Sequence, residues 1–404
     1  MIKLNEKSYS NENLDLHFNY KENRSNIKIS FERVAFIFFI FFVIPIIFSS
    51  KVIFLSFKSQ PEAKKIIKKE NFRASILDVN GNLIAKTVPI VNIGINLNEV
   101  INKEKLLLSL KILFPNKEFK KEMYGKKFFY VKKKIRPDNL EKVLLLGEKS
   151  IKKEYSIARV YPDSRLFSHV LGQIDTENNG ISGLEKSFDY ELTTSREPLR
   201  LTLDTDIQYL IREELLKSEK IFKNIGSAAI LMNINNGNII SMISLPDFNL
   251  NLRETVKDKK YINRVTKGTY EFGSVFKTFT IAAGLNYDVI DTDTKFKDLK
   301  KKIFCAKNSI SEYDNKIPKD LTAEQILIRS GNIGSARIAE KIGIDKYKNF
   351  LEIIGILQTT NFDIEEVGET QIGNWGKCKL LTVGFGHGIA TSLLKLAKGY
   401  SIIS

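Results

Sequence analysis

Histidine and cysteine are scarce: this chain of 404 residues contains three histidines and two cysteines. The histidines, His17, His169 and His387, lie far apart, so a histidine triad or a histidine-rich metal site is disfavoured, and each is expected to be structural or solvated. Cys305 and Cys378 form no C-x-x-C pair, which argues against zinc binding and thiol redox chemistry. The sequence leaves open whether the two cysteines form a disulfide.

Acidic residues are too few to balance the basic ones. The chain has 63 Lys and Arg against 47 Asp and Glu, a net charge of +16, which could suit nucleic acid or an anionic membrane surface. The basic runs, such as Lys64-Lys65, Lys68-Lys69 and Lys132–Lys134, are far apart and interleaved with Glu, so they form no single stripe. We therefore attribute the excess to a lysine-rich composition and expect no nucleic-acid binding.

Charge is absent from one long segment near the start. Residues 34–48, V-A-F-I-F-F-I-F-F-V-I-P-I-I-F, are uncharged, and apolar residues continue past Lys51 to Phe57. Because about 20 mostly apolar residues span a bilayer, we predict a transmembrane helix over 34–57. A cleaved signal peptide is disfavoured, since the polar leader, 1–33, is long for one and no A-x-A site follows. Phenylalanine on all sides argues against a buried core helix.

The chain after this segment begins with strand and turn patterns. A charged linker (58–70) comes first, and apolar runs then flank Asn80-Gly81, which predicts a hairpin. Residues 100–155 are lysine-rich and weakly helical. Extended pieces and turns around one short helix are predicted from there to Leu192.

The C-terminal part is predicted to be richer in helices. Asp204-Thr205-Asp206 is expected to cap a helix over Ile207–Lys217, and Asn236-Gly237 predicts a second, more hydrophobic hairpin. Further helices are predicted over 274–285, 322–330 and 334–342. Strands followed by helices indicate an α+β fold.

A serine and a lysine three residues apart form the first candidate site. The pattern Ser-x-x-Lys occurs at Ser25–Lys28, Ser150–Lys153, Ser274–Lys277 and Ser392–Lys395. In the third pair, Gly273 allows a tight turn into a helix, apolar residues surround the lysine, and positions i and i+3 share a helix face. A serine nucleophile needs a base, and an amine serves as one when desolvation lowers its pKa. We therefore predict Ser274 as nucleophile and Lys277 as base.

A second candidate lies at a tight junction between helices. Thr322 and Gln325 form a predicted capping box, and the helix that they start leads to Ser330-Gly331-Asn332. A hydroxyl and an amide at one junction can relay a proton and hold a substrate amide. The same residue types are common in plain turns, so this segment alone favours a structural interpretation.

Together, Y-E-F-G-S-V-F-K (270–277) and S-G-N (330–332) resemble the first two active-site motifs of penicillin-binding transpeptidases. Further segments resemble class B members of that family, in the family's order, over about residues 34–404; the division-type (septal) peptidoglycan transpeptidases are the most similar group. These segments are I-L-D-V-N-G-N-L-I-A, R-V-Y-P, S-H-V-L-G, G-I-S-G-L-E-K-S-F-D, L-T-L-D-T-D-I-Q, N-N-G-N-I-I-S-M, N-R-V-T and G-F-G-H-G-I-A-T-S-L-L-K-L-A-K-G-Y.

The resemblance implies an architecture and a location. A cytoplasmic tail (1–33) and the transmembrane helix (34–57) would be followed by an elongated non-catalytic pedestal domain (58–198). A serine penicillin-binding transpeptidase domain with a β-lactamase-like α+β fold would occupy 199–404. The protein would lie in the bacterial inner membrane with one span, and most of the chain would be periplasmic.

The resemblance also implies an activity: acyl transfer from D-Ala-D-Ala that cross-links stem peptides of lipid-linked glycan strands, without cofactor or metal. Ser274 would be acylated, also by β-lactams, and Lys277 would be its base. Ser330 would pass the proton to the leaving group, and Asn332 would orient the peptide. The Ser274 N–H would form half of the oxyanion hole. Implied partners are division membrane proteins, including a glycosyltransferase.

Two features of the sequence depart from the family pattern. Phe272 replaces the proline of E-P-G-S, which we expect to loosen the turn modestly. The third motif, Lys-Thr-Gly, does not occur, since Lys86-Thr87 and Lys277-Thr278 are followed by Val and Phe. The residues after Asn332 end within a segment that precedes this motif in the family. We therefore expect a C-terminally truncated, incomplete transpeptidase domain and an inactive chain.

Three alternatives stay open. The first is an elongation-type class B transpeptidase, although G-I-S-G-L-E-K-S-F-D favours the division type. The second is a non-catalytic membrane scaffold of the division machinery, which the expected truncation supports. The third is a β-lactam sensor or β-lactamase with the same Ser-x-x-Lys pattern, and the pedestal-like stretch at 73–192 argues against it.

Overall fold

The computed structural model describes residues 31–57, 72–252, 261–306 and 308–404. These residues belong to two units, Met1–Lys69 and Glu70–Ser404, which are described in turn. Strands and helices are mixed along the second unit, which confirms the predicted α+β class.

The first unit contains a long apolar helix, α1 (Phe31–Phe57). Its segment Val34–Phe54 has a mean hydropathy of 2.5, and none of that segment is buried. A helix of 27 residues is about 40 Å long, so α1 is long and apolar enough to cross the hydrocarbon core of a membrane. The predicted span, 34–57, lies within this helix.

The second unit begins with a five-stranded sheet. The strand order is β3-β2-β1-β5, and β4 also pairs with β2. The elements are β1 (Ile76–Leu77), β2 (Leu83–Asn96), α2 (Lys103–Leu113), α3 (Lys120–Gly125), β3 (Phe128–Lys132), α4 (Pro137–Leu144), β4 (Ile151–Val160), α5 (Ser168–Leu171), α6 (Gly183–Ser187), α7 (Asp189–Thr194) and β5 (Leu199–Arg200).

Strands β3 and β4 correct the prediction that residues 100–155 are only weakly helical. In β4 the residues from Lys152 to Tyr155 are exposed and mostly charged, so the segment lacks the apolar alternation that marks a strand. It nevertheless pairs antiparallel with β2 along Lys86–Ile95. Pairing with a long neighbour thus outweighs the weak local preference of the segment. Helices α6 and α7 likewise replace the extended pieces predicted up to Leu192.

The predicted hairpin at Asn80-Gly81 is confirmed by the antiparallel pairing of β1 with β2. Gly81 has φ +87°, which glycine adopts without strain. Asp78 accepts hydrogen bonds from the Asn82 N–H (2.7 Å) and the Thr205 hydroxyl (2.6 Å). Burial raises the pKa of Asp78, but the hydrogen bonds from Thr205 and Asn82 outweigh it and lower the pKa to about 2. The ionised carboxylate therefore connects the hairpin to the start of the helix that begins at Thr205.

A buried group of charges holds this region together. Glu185 is fully buried and accepts hydrogen bonds from the Nε atoms of Arg73 and Arg159, both at 2.8 Å. The Tyr161 hydroxyl donates to the same carboxylate at 3.1 Å, and Arg73 also pairs with Asp189 at 2.5 Å. Two guanidinium groups therefore surround one buried carboxylate, and its removal would leave them without their shared counter-charge.

The C-terminal part contains the elements that carry the candidate site. They are α8 (Thr205–Phe222), β6 (Ser227–Met232), β7 (Ile239–Leu245), β8 (Thr269–Tyr270), α9 (Lys277–Asn286), β9 (Lys295–Phe296), β10 (Lys302–Cys305), β11 (Asn308–Ser311), β12 (Leu321–Thr322), α10 (Ala323–Ile328), α11 (Asn332–Ile342), α12 (Ile344–Ile353), β13 (Gln371–Ile372), α13 (Lys377–Val383), β14 (Ile389–Ser392) and α14 (Leu393–Ile403).

Local signals in this part are confirmed. Asp204 caps α8, because its Oδ1 accepts the N–H groups of Asp206 (3.0 Å) and Ile207 (3.1 Å). Strands β6 and β7 form the antiparallel hairpin predicted around Asn236-Gly237. The short strands pair as β10-β11, β12-β9 and β13-β14-β8.

Helix α9 is fixed in a helical core. Phe276 and Phe279 are fully buried there, among apolar residues of α11, α12 and α13. The Thr280 hydroxyl donates to the Gly384 carbonyl at 2.7 Å and shares a 2.7 Å hydrogen bond with the Tyr347 hydroxyl. These contacts bind α9 to α12 and to Gly384, the residue that follows α13. The first turn of α9 is therefore held in place by its neighbours.

Cys305 and Cys378 form a disulfide, the alternative that the sequence left open. The bond connects the end of β10 to the start of α13 across a sequence separation of 73. It therefore encloses α10 and α11 in one covalent loop, which restricts the unfolded chain.

The buried charge group gives a stability prediction. Glu185→Gln is expected to lower the free energy of unfolding by about 3–5 kcal/mol, because two buried guanidinium groups lose their counter-charge. Urea unfolding of the detergent-solubilised chain, followed by circular dichroism, measures the change. Lys186→Gln is the control, since Lys186 makes an exposed pair with Glu365 and should unfold like the unmodified chain. Equal behaviour of the two variants would contradict the assigned role.

Candidate active site

Ser274 lies in a 3₁₀ turn, Gly273–Phe276, that leads directly into α9. Gly273 has φ +61°, and its N–H donates to the Gly386 carbonyl at 3.2 Å. Ser274 is exposed, whereas Phe276 is fully buried. The turn therefore presents the serine hydroxyl to solvent above a packed aromatic side chain.

Phe272 preserves the geometry of this turn. Its φ is −79°, within the range of about −65 ± 15° that a proline ring imposes. The backbone thus adopts with phenylalanine the φ that proline would fix, and the expected loosening of the turn stays a prediction.

The amine of Lys277 connects two serines. Its Nζ donates to Ser274 Oγ at 3.1 Å, to Ser330 Oγ at 2.9 Å and to the Ser330 carbonyl at 2.5 Å, and the lysine is fully buried. Burial lowers the pKa of Lys277 to about 8, although the Glu312 carboxylate opposes the shift. Roughly one tenth of the amine is therefore neutral at pH 7, and a neutral amine can accept a proton from Ser274.

Ser330 occupies the predicted junction between α10 and α11. The capping box that starts α10 is confirmed: Thr322 Oγ1 accepts the Gln325 N–H at 3.1 Å, and Gln325 Oε1 accepts the Thr322 N–H at 3.0 Å. Ser330 has φ +54°, a conformation uncommon outside glycine that is often found at functional sites. In this conformation both its carbonyl and its hydroxyl reach the Lys277 amine.

Asn332 begins α11 beside this junction. Its side-chain amide donates to the Ser311 carbonyl at 3.0 Å. Its backbone N–H donates to Glu312 Oε2 at 2.7 Å, and the N–H of Ile333 donates to Glu312 Oε1 at 2.9 Å. The end of strand β11 therefore holds the start of α11.

The structure brings three of the four predicted residues into one hydrogen-bonded group: Ser274, Lys277 and Ser330. Asn332 lies at its edge. A nucleophile, a base and a second hydroxyl that can relay a proton are the groups that acyl transfer requires. Sequence reasoning missed Glu312, because an isolated acidic residue after a short strand belongs to no motif.

Two family models match the chain in sequence order. The penicillin-binding protein dimerisation domain matches residues 68–214, and the penicillin binding protein transpeptidase domain matches residues 227–404. The chain belongs to the penicillin-binding protein family. The predicted family is thereby confirmed, whereas the site residues and the domain limits at 58–198 and 199–404 stay a prediction.

Curated relatives carry names that specify a reaction. A "Probable peptidoglycan D,D-transpeptidase FtsI" of Caulobacter vibrioides is 25% identical over 83% of this chain and 58% of the relative. A "Peptidoglycan D,D-transpeptidase FtsI" of Buchnera aphidicola is 26% identical over 95% of this chain and 75% of the relative. The "Peptidoglycan D,D-transpeptidase FtsI" of Escherichia coli K12 is 24% identical over 69% of this chain and 51% of the relative. The chain thus spans little more than half the length of most of these relatives.

A solved structure shows the same fold. The peptidoglycan synthetase from Bifidobacterium adolescentis aligns with a TM-score of 0.61 at 19% sequence identity, over 82% of this chain and 71% of that one. The alignment supports the predicted α+β fold.

The two other Ser-x-x-Lys pairs within the described residues lack the geometry found in the transpeptidase domain at Ser274. Ser392 accepts the backbone N–H of Lys395 at 3.3 Å, and the Lys395 amine binds Glu369 at 3.1 Å instead. In Ser150–Lys153 the serine is buried and the lysine exposed. Ser25–Lys28 lies outside the described residues.

Cavity volume does not mark the site. A cavity of about 620 Å³ lies in the dimerisation domain and against residues 250–252, lined among others by Asn92 and Arg159. Ser274 is not among its lining residues. The chemistry of the side chains, rather than an enclosed volume, therefore identifies the candidate active site.

The close approach of Gly386 to Gly273 gives a prediction. A Cβ at Gly386 would collide with the Gly273 carbonyl, whereas a Cβ at Gly388 would meet the flexible end of Lys379 at 2.8 Å and Thr382 Oγ1 at an ordinary contact distance of 3.5 Å. Both glycines have positive φ, so both alanine variants share a strain of roughly 1–2 kcal/mol. Gly386→Ala should lose more stability in urea unfolding, and Ser274 should be displaced. Equal losses in Gly386→Ala and Gly388→Ala would contradict this packing.

Proposed function

We propose that the transpeptidase domain cross-links peptidoglycan stem peptides by acyl transfer from D-Ala-D-Ala through an acyl-enzyme on Ser274. The observation that carries the proposal is the buried Lys277 amine, 3.1 Å from Ser274 Oγ and 2.9 Å from Ser330 Oγ. The names of the relatives support the substrate class, since all three are peptidoglycan D,D-transpeptidases.

The proton follows the hydrogen bonds of this group. Lys277 takes the proton of Ser274 as the serine oxygen attacks the carbonyl of the penultimate D-Ala. Ser330 then passes its proton to the nitrogen of the terminal D-Ala and takes from Lys277 the proton that the amine had accepted, so the amide C–N bond breaks, D-Ala leaves and a serine ester remains. The amine of a second stem peptide attacks this ester and gives up a proton, the new amide forms, and Ser274 regains its hydroxyl hydrogen.

Two further groups complete the proposed site. The Ser274 N–H stabilises the oxyanion of the tetrahedral intermediate, because the first N–H groups of a helix lack intrahelical acceptors. Asn332 orients the peptide through its side-chain amide. Penicillins, which carry a strained amide in place of the D-Ala-D-Ala bond, would acylate Ser274 and act as inhibitors.

The proposed location is the bacterial inner membrane, with α1 as a single span, the N-terminus in the cytoplasm and the second unit in the periplasm. The length and hydropathy of Val34–Phe54 support the span. The Cys305–Cys378 disulfide supports the periplasm, since such bonds persist in oxidising compartments.

We further propose that the protein acts at the division septum. Its partners there would be division membrane proteins, including a glycosyltransferase that supplies the lipid-linked glycan strands. The segment G-I-S-G-L-E-K-S-F-D (180–189) supports the division type over the elongation type.

Labelling with a fluorescent penicillin tests the proposed chemistry. The label is expected on Ser274, Ser274→Ala should abolish it, and Lys277→Arg should slow it by about 10²–10⁴, because a guanidinium takes up no proton. Since relatives extend beyond the matched segment, membranes containing the 404-residue chain and the complete product of its gene are compared by gel fluorescence and peptide mass spectrometry.

The control for this experiment is Ser392→Ala, which alters the other Ser-x-x-Lys pair of the domain and should leave the labelling in place. A label that survives Ser274→Ala would contradict the assigned nucleophile. A complete gene product that takes up no label would contradict the activity and favour the non-catalytic scaffold.

Localisation tests the proposed cellular role. A fluorescent protein fused to the N-terminus is expected to collect at mid-cell during constriction, and depletion should give filaments with unfinished septa. Signal along the side wall and rounded cells on depletion would instead indicate the elongation-type role.

A further inference from the structure

Glu312 contacts the candidate active site, yet the proposed reaction assigns it no step. We propose that Glu312 is a positioning residue for the acyl transfer: its carboxylate fixes the start of α11 and keeps a negative charge near the Lys277 amine. The inference rests on the proposed function and extends it to a residue that touches no reacting atom.

The carboxylate of Glu312 uses both oxygens on one helix terminus. Oε2 accepts the N–H of Asn332 at 2.7 Å, and Oε1 accepts the N–H of Ile333 at 2.9 Å. These are the first two residues of α11, where N–H groups lack intrahelical acceptors and a negative charge is favourable. The same backbone leads, through Gly331, directly to Ser330. Fixing the helix start therefore fixes the hydroxyl that faces Lys277.

Glu312 is itself held by the β10-β11 hairpin. Its N–H donates to the Lys301 carbonyl at 3.1 Å, and the preceding residue, Ser311, accepts the side-chain amide of Asn332. Cys305, at the far end of β10, is bonded to Cys378 of α13. The hairpin is thus attached at both ends, and the carboxylate has a defined position against α11.

The second effect of Glu312 is electrostatic. Burial lowers the pKa of Lys277, and the Glu312 carboxylate opposes that shift. Ser274 faces the amine from the same turn and Ser330 from the α10–α11 junction, both as neutral hydroxyls. The Glu312 carboxylate raises the pKa of this amine, against the effect of burial.

Other polar groups around α9 bind elsewhere. The Tyr347 hydroxyl of α12 pairs with Thr280, and the Tyr400 hydroxyl of α14 donates to the Val275 carbonyl, each at 2.7 Å. Neither tyrosine contacts the lysine amine through these hydrogen bonds. A change of charge at Glu312 should therefore change the pKa of Lys277.

The test measures the titration of Lys277 in the complete chain. The chain is labelled with 13C-lysine and held in detergent, and the ε-carbon signal of Lys277 is assigned with Lys277→Arg. The unmodified chain should titrate with a midpoint at about 8. Glu312→Gln should lower the midpoint by roughly half a pH unit or more, because an opposing charge is lost. Glu312→Asp, which retains the charge, should restore most of the shift.

The matched control is Asp204→Asn. Asp204 also caps a helix by accepting two N–H groups, at 3.0 and 3.1 Å, but its helix is α8 and it makes no contact with Lys277. This variant should lose helix-cap stability and leave the Lys277 midpoint unchanged. If Glu312→Gln also leaves the midpoint unchanged, Glu312 is a plain helix cap and the proposal is overturned.

Penicillin labelling separates this inference from the proposed function. In Glu312→Gln the acylation of Ser274 should reach half of its maximum at a correspondingly lower pH, with a reduced maximum because Ser330 and Asn332 lose their support. Absence of labelling in the unmodified protein would contradict the proposed function, whereas the Lys277 titration would still report on Glu312. A labelling profile that keeps its pH midpoint in Glu312→Gln would overturn the positioning role.

Discussion

The candidate active site depends on one buried amine. Lys277 lies between two serine hydroxyls and donates to both, in an environment that lowers its pKa to about 8 through burial. An exposed lysine would remain charged at neutral pH and could take no proton from a hydroxyl. The proposed nucleophile is exposed while its proposed base is buried. Ser274 can thus be reached from solvent without passing the Lys277 amine.

The rest of the domain keeps this arrangement in place. The aromatic core under α9 and the Thr280–Tyr347 hydrogen bond fix the first turn of the helix. The positive φ of Ser330 directs its carbonyl and its hydroxyl toward the Lys277 amine. Glu312 follows a hairpin that the disulfide connects to α13, and its carboxylate fixes the start of α11. Each contact comes from a different stretch of sequence, so tertiary packing rather than any single motif creates the low-dielectric site.

Local signals were the most predictable part of the structure. The two Asn-Gly hairpins, the Asp204 cap, the Thr322–Gln325 capping box and the Gly273 turn all depend on residues within a few positions of one another, and all are present. Ser274 and Lys277 were predictable for the same reason, since one helical turn separates them.

Features that depend on distant parts of the chain were not predictable from one sequence. Strand β4 carries charged, exposed residues, and only its pairing with β2 makes it a strand. The Arg73–Glu185–Arg159 group joins residues that are up to 112 positions apart. Glu312 reaches Asn332 across 20 positions without a motif. In each case the deciding interaction is a long-range contact, and neither propensity nor periodicity encodes it.

The pH dependence of Ser274 acylation is the most direct test of Lys277 as the base. If a neutral Lys277 is the base, the rate of penicillin acylation should rise with pH and reach half of its maximum at about 8, the pKa that burial gives the amine. The rate should then level off, because the amine is already neutral. A rate that stays constant between about pH 6 and pH 9 would show that no group of this pKa limits the reaction. It would contradict the role of the buried amine.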